Sequence, residues 1–150
     1  MNLPPQRASW MKRIPLFGIF FILYMLTMGF VYYQSPTADP LTVELFQFQL
    51  PSHHWLHLNV SDIIIVLGLG LLFQEINKST DSDDVTIREN VLSFVVFLAY
   101  LLSFFFVPFA ANSTFLILCM MSLVDTVSGF IITAKTARKD YTITTPGSFM

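Results

Sequence analysis

The sequence predicts an all-α membrane protein, a bundle of four transmembrane helices with a small external β-hairpin between the first and the second. Three observations lead there. Of 150 residues, 54% are hydrophobic and only 12% are charged, about half the charge expected of a soluble domain. Apolar runs at 14–33, 61–77, 90–110 and 114–133 reach or approach the length that crosses a hydrocarbon core of roughly 30 Å. The eight Lys and Arg residues all fall before the first run, between the second and third, or after the fourth. Sixteen Phe suit a surface that faces lipid, and a net charge of −2 leaves no nucleic-acid footprint.

The run at 14–33 follows Arg7, Lys12 and Arg13, as the core of a secretory signal would. It is longer than such a core, and it exits through Val31, Tyr32, Tyr33 and Gln34 where a cleavage site requires small residues, so it is expected to remain as an anchor. Trp10 before it, and Tyr32 and Tyr33 at its far end, match aromatic belts at headgroup depth. The run at 61–77 is the weakest, unbroken only over 63–73 between Asp62 and the pair Gln74 and Glu75. A re-entrant or interfacial helix is the alternative there. Charge argues against it: with four spans, Lys78, Arg88, Lys135, Arg138 and Lys139 join the N-terminal cations on the cytoplasmic side, as the positive-inside rule requires. With three spans, the C-terminal cluster would lie outside. The connection at 111–113 is so short that the last two helices must be antiparallel neighbours.

Outside the membrane, Pro36, Asp39 and Pro40 make the start of the first connection irregular. Beyond it Val43 and Leu45 and then, after a slip, Phe46, Phe48 and Leu50 alternate with Glu44, Gln47 and Gln49; Leu56, Leu58 and Val60 alternate with Trp55, His57 and Asn59. Two alternating runs joined by Pro51, Ser52, His53 and His54 predict a β-hairpin over 43–60 with a four-residue connection. A lone hairpin is marginal in water, so its apolar face is expected against the membrane surface or the helix ends, anchored by Trp55. The loop at 78–89 carries Asp81, Asp83 and Asp84 but neither the glycine nor the late glutamate of a calcium loop, and reads as a solvated turn.

Absences narrow the chemistry. The three predicted connections and the N-terminal segment hold every His, Lys and Arg before residue 134, so intramembrane haem ligation, voltage sensing and a retinal Schiff base lack their residues. The single Cys119 can form neither an internal disulfide nor a Cys-based metal site. His53, His54 and His57 cluster near the hairpin turn and are the candidate copper or zinc ligands, with Glu44 as a further donor; two or three imidazoles at a solvated turn do not make a site, and no cofactor is expected. Met25 with Met28, and Met120 with Met121, read as apolar filling.

Asp125 stands apart. It lies near the middle of the fourth run, where a carboxylate costs about 2.5 to 3.5 kcal/mol on insertion scales and is expected to face the bundle. Ser122, Asp125 or Thr126, Gly129 and Thr133 recur at three- and four-residue spacing and make one small, polar face on the fourth helix. Counted from the cytoplasmic helix ends, Tyr24 and Tyr100 come at nearly the same depth as Asp125, and either hydroxyl is a candidate partner for it. Tyr24, Tyr100, Ser122 and Asp125 therefore form the candidate buried polar site, read either as an interhelical hydrogen bond or as a proton or cation relay. Ser93, Tyr100 and Ser103 lie close to one stripe of the third helix. Glu75 is expected to pair with Lys78 near one end of the second helix, and Asp62 to cap the other.

Several segments carry a resemblance: Val60-Ser61-Asp62, Leu71-Leu72-Phe73-Gln74-Glu75-Ile76 with Lys78 and Thr80, Ser113-Thr114-Phe115, Leu123-Val124-Asp125, Gly129-Phe130, Thr133 and Ala137-Arg138-Lys139-Asp140-Tyr141. Over 42–141 the chain resembles a group of small four-span bacterial inner-membrane proteins that are hypothetical transmembrane proteins without an assigned activity. The resemblance implies a multi-pass inner-membrane location and no chemistry. With no catalytic constellation in the sequence, the expected function is that of a non-enzymatic accessory component, one integral membrane domain over 1–150 that associates with lipid and with other membrane proteins or itself. A small subunit of a transporter or ion-coupled carrier that uses Asp125 is the alternative.

Overall fold

The computed structural model describes residues 15–80 and 86–143. Four α-helices, α1 (Leu16–Gln34), α2 (Val60–Thr80), α3 (Thr86–Phe106) and α4 (Ser113–Ile143), pack around an aromatic core, and a two-stranded antiparallel sheet, β1 (Glu44–Gln49) and β2 (Trp55–Asn59), lies between α1 and α2. Among the described residues, three of the helices hold apolar stretches long enough to cross a membrane: Leu16–Gln34, Val60–Lys78 and Ser113–Lys135. The apolar stretch of α3, Asn90–Phe106, is shorter. This reverses the expectation that the second run is the short one. The second gains because β2 leads straight into α2 at Val60. The third loses because Pro108 disfavours helical geometry at Val107 and supplies no N–H, so the expected continuation to 110 is a 3-10 turn at Pro108–Ala110.

The other boundaries shift for similar local reasons. Pro15 precedes α1, and the last helix continues well past 133 to Ile143. The predicted loop at 78–89 is trimmed at both ends by helix, and its Asp81, Asp83 and Asp84 lie outside the described residues, as do Arg7, Trp10, Lys12 and Arg13 and the side chains of Arg88, Arg138 and Lys139.

The core lies where α1, α3 and α4 meet. Phe17, Tyr24, Tyr100, Phe115, Leu118 and Cys119 are buried together. Tyr100 meets Phe21 with ring centroids 4.9 Å apart and Phe115 at 5.2 Å, and Tyr24 meets Phe115 at 5.1 Å. These are the offset and edge-on separations that aromatic quadrupoles favour. Gly68 lets α2 approach this core: an added Cβ would stand 2.7 Å from Leu118 Cδ2.

The hairpin follows the sequence pattern closely. Phe46 pairs with Leu58 and Phe48 with Leu56, and Gln47 with His57 and Gln49 with Trp55, so one face is apolar and the other mostly polar. The register shifts between Glu44 and Phe46, at the slip in the alternation; a β-bulge absorbs Leu45. The connection is shorter than the four residues expected. Leu50 N–H donates to His54 C=O at 2.9 Å and His53 N–H to Leu50 C=O at 2.9 Å, which leaves Pro51, Ser52 and His53 in the loop. His53 adopts φ 63°, the left-handed residue that a three-residue hairpin loop requires. Phe46, Phe48, Leu56 and Trp55 are exposed.

Candidate functional site

The polar face of α4 points into the bundle, as its spacing predicts. Ser122, Asp125, Thr126 and Gly129 are all buried. The Thr126 hydroxyl donates to Ser122 C=O at 2.9 Å and that of Thr133 to Gly129 C=O at 2.9 Å, so both threonines satisfy themselves along their own helix. Across the interface, buried Asn90 of α3 donates through Nδ2 to Gly129 C=O at 3.1 Å and to Thr133 Oγ1. An added Cβ on Gly129 would stand 2.4 Å from Asn90 Oδ1, so the glycine is what seats the amide against α4.

Asp125 is 4% exposed, and its surroundings differ from those expected. Neither tyrosine is its partner. The Tyr24 hydroxyl exchanges hydrogen bonds with Asn112, to Oδ1 at 3.3 Å and from Nδ2 at 3.1 Å, at the far end of α4. The Tyr100 hydroxyl donates to Phe17 C=O at 3.3 Å. Ser93, two helical turns before Tyr100 on α3, and Lys78 on α2 are the groups whose electrostatic influence reaches Asp125. The depth count fails because it assumes that all four helices begin at one plane, whereas α4 extends well beyond its predicted end. Asp125 Oδ2 and Ser122 Oγ, one turn apart on α4, are buried without a hydrogen-bond partner among the described residues.

A second buried carboxylate lies close by. Glu75 pairs with Lys78, Oε1 to Nζ at 3.9 Å, as expected, but Glu75 is only 4% exposed and also accepts from Leu16 N–H at 3.3 Å. It thereby satisfies an otherwise orphaned donor in the first turn of α1 and ties that end to α2. Sequence reasoning placed Glu75 near the end of the second helix, where a carboxylate tolerates the membrane interface, and gave no role to Asn90 or Asn112. The signal for Asn90 was its place on the stripe of Ser93 and Tyr100. That for Asn112 was its position before a helix: its Oδ1 accepts from Phe115 N–H at 2.9 Å, an N-cap bond.

At the hairpin, His57 Nδ1 meets Glu44 Oε1 at 2.9 Å, and His53 is taken up by the turn. Among the described residues no three His, Cys, Asp or Glu side chains gather into a group that could hold a metal ion. Asp62 Oδ2 accepts from Asn59 N–H at 2.9 Å and caps the start of α2 as expected.

The described residues form two concavities of note. One is an apolar cleft of about 390 Å³ between α1 and α2. The other, about 190 Å³, lies between the end of α1, the 3-10 turn at Pro40–Thr42 and the segment from Pro108 to Asn112. No protein-family model, curated protein or solved structure matches the chain.

Proposed function

We propose that the chain is a four-span component of a bacterial inner membrane, with both termini cytoplasmic, that binds a transmembrane helix of another membrane protein and has no catalytic activity of its own. The carrying observation is the cleft between α1 and α2, lined by Ile19 and Leu23 on one side and by Val66, Leu67 and Gly70 on the other, with Gln74 at one end. An added Cβ on Gly70 meets nothing within 4 Å, so a stripe of α2 backbone is open to close approach. Small residues at an open, apolar helix face suit helix association in lipid, where close packing replaces the hydrophobic effect as the driving force. Four spans also agree with the cation distribution: the start of α1 is tied to the Lys78 end of α2, and the segments 34–60 and 107–112 hold no Lys or Arg.

A photo-reactive residue at Leu67 or Leu23 should give one discrete protein adduct in intact cells, and the same residue at exposed Leu69, outside the cleft, should not. Gly70→Leu should abolish the adduct without changing the unfolding midpoint. Adducts with lipid alone at all three positions would overturn the reading. For topology, Ser52→Cys on a Cys119→Ala background should react with an impermeant reagent from outside and Lys135→Cys should be protected.

One observation favours a second reading, a subunit of an ion-coupled carrier: the unpartnered Asp125 Oδ2 and Ser122 Oγ within the bundle. A buried carboxylate oxygen lacking a donor is a place where a proton or small cation is stabilised. Asp125→Asn separates the two readings, as set out below.

A further inference from the structure

The smaller concavity lies at the end of the bundle opposite the Glu75–Lys78 pair, and its walls are built from fixed groups. The Phe109 ring lies directly on α1, where an added Cβ on Gly29 would stand 3.2 Å from its Cζ. Tyr32, one turn further along α1, has its ring centroid 5.7 Å from that of Phe109 with the planes inclined at 42°. Asp39 and buried Leu41 also line it; Asp39 Oδ1 accepts from Leu41 N–H at 3.1 Å, which holds the exposed carboxylate at the start of the 3-10 turn. Asn112 is held by Tyr24 and by its own bond from Nδ2 to Phe109 C=O at 3.0 Å. The geometry therefore does not depend on a ligand to assemble it.

The chemistry of this pocket selects for charge and size. Its lining contains one carboxylate, two aromatic rings and no Lys or Arg. The connections that contribute to it, 34–60 and 107–112, hold no Lys or Arg, and Asp39 is the carboxylate at the pocket, so the local field favours cations. An anion would have to displace water from Asp39 against like charge. With the two centroids 5.7 Å apart, a cation seated over the ring faces can stand within about 6 Å of both, the range over which ring quadrupoles attract positive charge. A pocket of about 190 Å³ is smaller than those that hold drug-sized ligands and suits a compact head.

We propose that this pocket binds a small organic ammonium group, with Asp39 as the counter-charge and Tyr32 and Phe109 as the aromatic wall. The ammonium is that of a lipid headgroup or of a free amine, and the site is independent of the α1–α2 cleft. The test is calorimetric titration of ethanolamine hydrochloride into the full chain in maltoside micelles against a sodium chloride control. Saturable binding is expected. Asp39→Asn, which keeps the acceptor for Leu41 N–H and removes only the charge, should weaken it about tenfold. Tyr32→Leu and Phe109→Leu should each weaken it about threefold, all three with unchanged unfolding midpoints. Repeating the titration in discs of phosphatidylglycerol with and without phosphatidylethanolamine distinguishes the source: a headgroup site is suppressed by the second lipid, and a free-amine site is indifferent to it. Absence of saturable binding above the salt control in micelles and in phosphatidylglycerol discs overturns the proposal. So does wild-type affinity in Asp39→Asn and Tyr32→Leu.

Discussion

Gly129→Ala tests the interface between α3 and α4 at its tightest point. The new methyl would stand 2.4 Å from Asn90 Oδ1 and 3.2 Å from its Cγ, so the Asn90 amide must move. Asn90 is only 7% exposed, and moving it strains or breaks its bonds to Gly129 C=O and Thr133 Oγ1. Each interhelical hydrogen bond in a membrane is worth about 0.6 kcal/mol on average and at most about 1.7, and overpacking adds roughly 1 to 3 kcal/mol. Against this, alanine favours the helix by up to about 1 kcal/mol. The net expectation is a loss of about 1 to 3 kcal/mol in reversible unfolding in mixed micelles. Asn90→Ala removes the obstacle, so Gly129→Ala in that background should be neutral or stabilising. A double-mutant cycle then gives a coupling of roughly 1 to 3 kcal/mol. Additive effects of the two substitutions would refute the claim that the glycine exists to seat Asn90.

The remaining predictions concern the other polar groups. Asp125→Asn retains shape and a hydrogen-bonding amide, so folding should be preserved, whereas Asp125→Leu should disturb the packing against Ser93 by about 1 to 2 kcal/mol in the same assay; a wild-type phenotype for the Asn variant in a deletion strain rejects a relay, and loss of phenotype at unchanged stability rejects a purely structural carboxylate. Asp62→Ala should cost about 1 kcal/mol by removing the bond to Asn59 N–H, with faster amide exchange at the start of α2 as its local signature. His53→Gly should slow exchange across the hairpin, because φ 63° costs a non-glycine residue roughly 1 kcal/mol; faster exchange would mean that the imidazole itself holds the turn.

How far these features could be read in advance depended on the range of the interaction. The four helices and the hairpin are local matters: apolar runs, which the sequence carries through Pro15 and Pro108 where the helices stop, and the alternation that breaks at Leu45 and reappears as the bulge beside Phe46. The inward face of α4 was equally legible, because residues three and four apart must share a side. The short range of a capping bond made Asp62 legible too, and the single-turn spacing of Glu75 and Lys78 did the same for their pair.

Which groups meet across helices was decided only by the tertiary structure. Tyr24 reaches Asn112, 88 positions away, and Tyr100 reaches Phe17 C=O, 83 positions away, and neither hydroxyl bonds Asp125. Such pairings are set by the axial offset of one helix against another, and an offset of a single turn moves a side chain by about 5.4 Å, more than the length of a hydrogen bond. No pattern within one helix carries that offset. It emerges from packing between helices: the Tyr100 ring against Phe21 and Phe115, Gly68 against Leu118, and Gly129 against Asn90. The burial of Glu75 follows from the same packing, since the start of α1 comes to rest against it.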